Sequence, residues 1–170
     1  MSKVTIPPLI YDSFFFAEKD AELHPDVGKT IYLQELFVHE IAFYCGLETI
    51  KPWEERERFV PELFQEWERL YEELRKKFSK RSNGETVIPM KHGIGLFIEC
   101  LYWSNGLPAK SIHCGQIDEL AFKPVNCLER LQFLMRRPNI YPSFVQLSEL
   151  FEEQKKQFAK ILAIKNAKKQ

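Results

Sequence analysis

Apolar positions after Pro61 recur with a helical period. Leu63, Phe64, Trp67, Leu70, Tyr71, Leu74 and Phe78 fall on one face, and Glu66, Arg69, Glu73 and Lys77 take the other. Acids gather early and bases late (Arg75 to Arg81), as a helix macrodipole favours, with Glu72–Lys76 and Glu73–Lys77 spaced as i,i+4 pairs. The spacing predicts a helix over 61–81. Residues 30–45 are apolar almost all round, with Gln34, Glu35, His39 and Glu40 as a narrow polar strip, which predicts a buried helix ended by Gly46.

Ser82-Asn83-Gly84 breaks the pattern, and Thr86 can cap a second buried helix over 87–104 with Pro89 in its first turn. Gly93 and Gly95 interrupt that helix at about 1 kcal/mol each relative to alanine, a cost that points to close approach by another helix or a ligand, helix packing being the commoner cause. Residues 107–123 read as an irregular connection with one helical turn at 117–120. Pro124 fits the first position of a helix over 124–137. Ser143 and Gln146 match a capping box for a last helix over 143–166. The apolar stretch Ile6–Phe16 is expected to form a short helix that docks Phe14, Phe15 and Phe16 onto the body. No run alternates strictly, so no sheet is expected. The fold class is all-α: a single-domain irregular helical bundle of about five main helices plus a docked N-terminal segment, over 1–170 with 1–5 and 167–170 frayed.

Composition supports a packed body, since 14 Phe, 6 Tyr and 3 Trp carry more aromatic surface than a protein can leave in water. Charge balances at 24 basic and 24 acidic residues, but residues 1–60 carry a net of −5 and the remainder +5. Six lysines and no acid follow from Lys155 onward. Cys45, Cys100, Cys114 and Cys127 are widely spaced and form no C-x-x-C pair, so reduced thiols in a cytoplasm are expected. No apolar run approaches the ~18 residues of a membrane span, so no membrane insertion is expected.

Motifs for chemistry are sparse. None of His24, His39, His92 or His113 has an acid three residues earlier, as a di-iron bundle requires, and His39-Glu40 lacks the second histidine of a zincin. No metal site is assigned, although His39, His92 and His113 could in principle meet. No G-x-S-x-G elbow is present, and Gly93-Ile94-Gly95 lacks the third glycine of a dinucleotide fingerprint. No cofactor and no catalytic residue is assigned. Cys114, beside His113, is the thiol expected at the surface. The one polar constellation is Lys123, Asn126 and Arg130 at a helix start with Arg136 and Arg137 at its end. It could hold a carboxylate or phosphate, with His92 and Tyr141 as further candidate binding residues. Alternatively, Arg130 pairs with a neighbouring carboxylate such as Glu119 or Glu129.

The stretch Lys123-Pro124-Val125-Asn126, Glu129-Arg130 and Arg137-Pro138, followed by Tyr141, Phe144, Gln146-Leu147 and Leu150-Phe151, resembles the YpoC-like family of low-GC Gram-positive bacteria. The resemblance extends to chain length and the helix after Pro61. It carries over no catalytic residue. Its genes tend to lie beside those of a replication-initiation protein, an endonuclease III-type glycosylase and a cell-wall synthase, which implies a link to chromosome maintenance or envelope growth.

Three functions are compatible with these features. The first is a non-catalytic protein-interaction module, with Trp53, Trp103 and Tyr141 as part-exposed anchors. The second is nucleic-acid association through the 75–81 and 155–169 basic clusters. The third is a small-anion or nucleotide-binding enzyme built on the Lys123–Arg137 helix and His92.

Overall fold

The computed structural model describes residues 1–81 and 83–169. The periodic stretch around Pro61 forms a long helix (α2, Arg56–Ser79), which begins five residues earlier than the pattern suggested. Pro61 therefore lies beyond the first turn, and its missing N–H is tolerated because the neighbouring Phe59, Val60, Leu63 and Phe64 are buried against the core. The next helix (α3, Asn83–Ser104) also starts earlier than expected, which places Pro89 past its first turn. Ser82 lies outside the described residues. Every residue from Gly93 to Ser104 is buried, so α3 is the central element.

The two glycines of α3 show why it can be central. A Cβ at Gly93 would sit 3.0 Å from the Trp67 ring, 3.1 Å from Leu147 and 3.4 Å from Leu70, so α3 is packed between its neighbours there. A Cβ at Gly95 would collide with Leu36. Leu147 belongs to the last helix (α5, Tyr141–Lys168), which runs antiparallel to α2: Phe78 meets Tyr141 at one end, and Glu57 meets Lys165 at the other. Rings line this seam, with Trp67 stacked on Phe151 at 4.3 Å and Tyr71 on Phe144 at 5.2 Å. A short helix (α4, Cys127–Arg136) packs on α5 and α3 through Leu131 and Leu134.

Several local expectations are corrected. The stretch 30–45 is helical only as α1, Val38–Tyr44, because Phe37 sits at φ 64 in the left-handed region and turns the chain. Residues 30–37 fold back instead, and the Tyr32 amide donates to His39 Nε2 at 3.0 Å. The pattern read as helical there because Ile31, Tyr32, Leu33 and Leu36 all pack on the core from an irregular backbone.

A small two-stranded sheet was not expected. Residues 2–5, predicted to fray, form β1 (Ser2–Thr5), paired antiparallel with β2 (Asp20–Leu23) in the register Ser2↔Leu23. Strands of four residues are too short to display a period. Between them, Ile6–Phe16 forms turns and no helix, since the Asp12 carboxylate accepts from the Phe14 amide at 2.9 Å and the Asp12 carbonyl accepts from Phe15 and Phe16. The docking of the three phenylalanines does occur, with Phe15 and Phe16 against Phe37.

Pro124 is not the first residue of α4. It is buried in the preceding turn, and Asn126 at φ 55 leads into the helix without a side-chain cap. Nor is Ser143 a cap. It lies in the first turn of α5, where its Oγ donates to the Arg137 carbonyl at 2.6 Å. The connection 107–123 is irregular, with single turns at Ile112–Cys114 and Ile117–Glu119.

Candidate functional site

The polar residues at the start of α4 are engaged with the protein itself. Lys123 Nζ donates to the Leu120 carbonyl at 2.6 Å. Arg130 donates to the Val125 carbonyl at 3.0 Å and pairs with Glu153 of α5 at 2.5 Å, so its partner is neither Glu119 nor Glu129. With its oxygen turned toward Arg130, the Gln146 amide accepts from Nε at 2.6 Å and donates to Glu149 at 3.0 Å. Asn126 and Arg137 are exposed at opposite ends of the helix, and Tyr141, 53% exposed, packs on Phe78 and Phe144. Lys123, Asn126, Arg130, Arg137 and Tyr141 are absent from the walls of the clefts lined by Arg136 and by His92.

Those last two residues line a different feature. Two clefts of about 400–450 Å³ follow one another across the N-terminal half of α3, and a third of about 450 Å³ adjoins them beyond Phe14. One, between α2 and α3, is walled by Leu70, Glu73, Pro89 and His92. The next shares Ile88 and His92 with it and adds Phe14, Phe15, Leu36 and Lys91. The third shares Ser13 and Phe14 with the second and reaches Asp12, His113 and Arg136. Ile88 stands on the ridge between the first two, 81% exposed. A large aliphatic side chain in that position contributes nothing to the core. Lys91 lies over the Phe14 ring at 5.0 Å and, among the described residues, makes no ion pair.

Two acids sit inside the protein. Glu40 of α1 and Glu99 of α3 are fully buried. Glu40 Oε2 accepts from the Trp103 indole at 2.6 Å and from the Ala109 amide at 3.1 Å, and each acid keeps one oxygen without a hydrogen bond. Burial pushes the Glu40 carboxyl up to about 7, and burial with the neighbouring Glu40 charge holds Glu99 well above the carboxylate range. Beside them, burial lowers the His39 imidazole to about 4, so it is neutral and accepts from Tyr32. Neither acid lines any of the clefts described above, so their placement points to a structural role.

His39, His92 and His113 lie on separate elements. Among the described residues, no group of three His, Cys, Asp or Glu side chains could hold a metal ion. All four cysteines are free, with Cys114 exposed and Cys100 and Cys127 buried. Two of the expected interaction anchors are corrected: Trp53 is 4% exposed and Trp103 is fully buried, because an indole beside Glu40 or Phe43 belongs to the core. Four cations of the basic clusters pair with carboxylates, Arg75 with Glu72 at 3.0 Å, Lys77 with Glu73 at 3.4 Å, Lys155 with Glu68 at 3.8 Å, and Lys165 with Glu57. No helix among the described residues is long and apolar enough to cross a membrane.

The family model for YpoC-like proteins matches residues 57–166, which span α2 to α5. The chain belongs to the YpoC-like family. It is 32% identical over 141 residues to the uncharacterized protein YpoC of Bacillus subtilis (strain 168), covering 82% of this chain and 84% of that one. No solved structure matches the chain. The YpoC-like match takes in Ile88, His92 and Arg136, whereas Asp12 to Phe14, on the far wall of the clefts, precede it.

Sequence reasoning missed Ile88 and Asp12 for different reasons. Ile88 belongs to an apolar run whose other members are buried or half-buried, so periodicity could not separate it. Asp12 becomes buried only because the turn it organises lies under His113, a contact between residues about a hundred positions apart.

Proposed function

We propose that this YpoC-like protein is a non-catalytic protein-interaction module whose contact face is the run of clefts across the N-terminal half of α3. The exposed Ile88 between two apolar hollows carries this reading. An aliphatic ridge flanked by cavities suits a partner that lays side chains on both sides of it. The two clefts that share Ile88 and His92 are open and contiguous, which suits an extended segment of another protein as the occupant. Its chemistry follows from the walls: apolar side chains for the hollows lined by Phe15, Leu36, Leu70 and Pro89, and an acidic residue toward the unpaired Lys91.

We place the protein in the cytoplasm, with its thiols reduced, and seek the partner among proteins of chromosome maintenance or envelope growth, which the family's gene neighbourhood implies. The test compares wild-type bait with Ile88→Asp and with Val125→Asp, a control at another exposed apolar position (73%). A partner retained by wild type and Val125→Asp and lost with Ile88→Asp is the expected result. The same proteins retained by all three baits would remove the reading. Nucleic acid held equally by all three would favour the basic clusters instead.

A further inference from the structure

The cleft at the far end of this face has a composition of its own. We propose that it is a binding site for a small organic oxyanion, a phosphate or carboxylate carried on an apolar body. The pocket of about 450 Å³ lies between the N-terminal turn, the 112–114 turn and the last turn of α4. Phe14, Ile112 and Met135 supply apolar walls. Arg136, Gln132 and His113 supply donors, and all three are exposed.

The single acid of the pocket is buried, and its Oδ2 makes no hydrogen bond. Asp12 Oδ1 accepts from the Phe14 amide at 2.9 Å, and Oδ2 is buried 3.5 Å from His113 Nε2. This carboxylate faces one nitrogen of the His113 imidazole and orients the ring. What remains at the cleft surface is a guanidinium, an imidazole and an amide. Among the described residues Arg136 has no carboxylate partner, so its charge is available to a ligand, in the planar form that suits oxyanions.

The walls are also held in place before any ligand arrives. The Ser111 amide donates to the Leu9 carbonyl at 2.8 Å, the Ser111 hydroxyl accepts from the His113 amide at 3.2 Å, and Cys114 Sγ donates to the Pro8 carbonyl at 3.4 Å. These bonds fasten the turn that carries His113 to the segment that carries Asp12. Binding therefore has little backbone left to order.

The site adjoins the docking face at Ser13 and Phe14 but uses neither Ile88 nor His92. The experiment titrates the full-length protein with phenyl phosphate, inorganic phosphate and benzyl alcohol, followed by histidine ring signals in NMR and by calorimetry. Phenyl phosphate should bind saturably, shift the His113 ring signals and leave those of His24 unmoved. Inorganic phosphate should bind more weakly, and benzyl alcohol should not bind. Arg136→Gln should weaken phenyl phosphate by about tenfold, the loss of one charge-assisted contact. Ile88→Asp and Lys123→Gln should bind as wild type does. Absence of saturable binding, equal binding of benzyl alcohol, or unchanged affinity in Arg136→Gln with its unfolding curve intact would each overturn the proposal.

Discussion

The Glu40 carboxyl on α1 accepts a 2.6 Å hydrogen bond from the indole of Trp103 on α3, deep in the core. The same oxygen takes the Ala109 amide, and the Tyr44 hydroxyl donates to the Ala109 carbonyl at 3.0 Å. One short helix therefore holds both backbone polar groups of a single residue, Ala109, in the 107–123 connection. Breaking that clamp would leave buried polar groups unpaired, each costing about 1–3 kcal/mol.

Stability should depend on the charge of Glu40. Its value near 7 in the fold exceeds the ordinary 4.5, so the fold keeps a proton that the unfolded chain releases. The resulting stabilisation is full below 4.5 and is lost as pH rises through about 7, on the order of 3 kcal/mol. His39 acts in the opposite sense: its value near 4 favours the fold above 6.5 and withdraws that support as pH falls toward 4. Glu40→Gln should therefore be less sensitive to the rise from pH 5 to 8 than wild type. Urea midpoints at the two pH values measure this, and an identical drop in both proteins would count against it.

The two glycines of α3 should respond unequally to alanine. At Gly93 the new methyl meets Trp67 and Leu147, both buried and unable to yield, so overpacking of about 1–3 kcal/mol should exceed the ~1 kcal/mol gained in helix propensity. At Gly95 it meets Leu36, a half-buried side chain on an irregular segment that can swing aside. Denaturant curves should rank Gly93→Ala well below Gly95→Ala.

Arg130 should behave as a brace between α4 and α5. Its side chain is 16% exposed and that of Glu153 38%, so the pair is partly screened. A double-mutant cycle with Arg130→Met and Glu153→Gln should give a coupling of about 1 kcal/mol. Phenyl phosphate affinity should be the same in all four proteins of the cycle.

Thiol reactivity should separate the cysteines. Cys114 is exposed and should react with a disulfide reagent in seconds to minutes, Cys45 more slowly because burial raises its thiol. Cys100 and Cys127 should react only on unfolding, since burial pushes Cys127 up to about 12 and Cys100 still higher. Four equally fast thiols in the native protein would contradict the packing described.

The predominantly helical class, the long helix around Pro61 and the central α3 were legible because long segments repeat their pattern often enough to outweigh local exceptions. The two glycines were legible as well, as packing contacts. The segment from 30 to 37 was not, because apolar residues on an irregular backbone buried from several sides mimic a buried helix. Short strands such as Ser2–Thr5 carry no period, and the left-handed turns at Phe37 and Asn126 occur at residues without a glycine signal. Of the residues named for binding, Arg136 and His92 line clefts, whereas Lys123 and Arg130 are tied to carbonyls and to Glu153. A chain alone shows that a cation is present, but not which partner the fold has already supplied.

The docking face is tested most directly by photo-crosslinking in the cells that make the protein. A benzophenone amino acid replaces Ile88 in one strain and Val125 in another. A discrete adduct at position 88, absent at 125 and competed by wild-type protein but not by Ile88→Asp, is the predicted result. Adducts of the same pattern at both positions, or none at 88, would contradict the account.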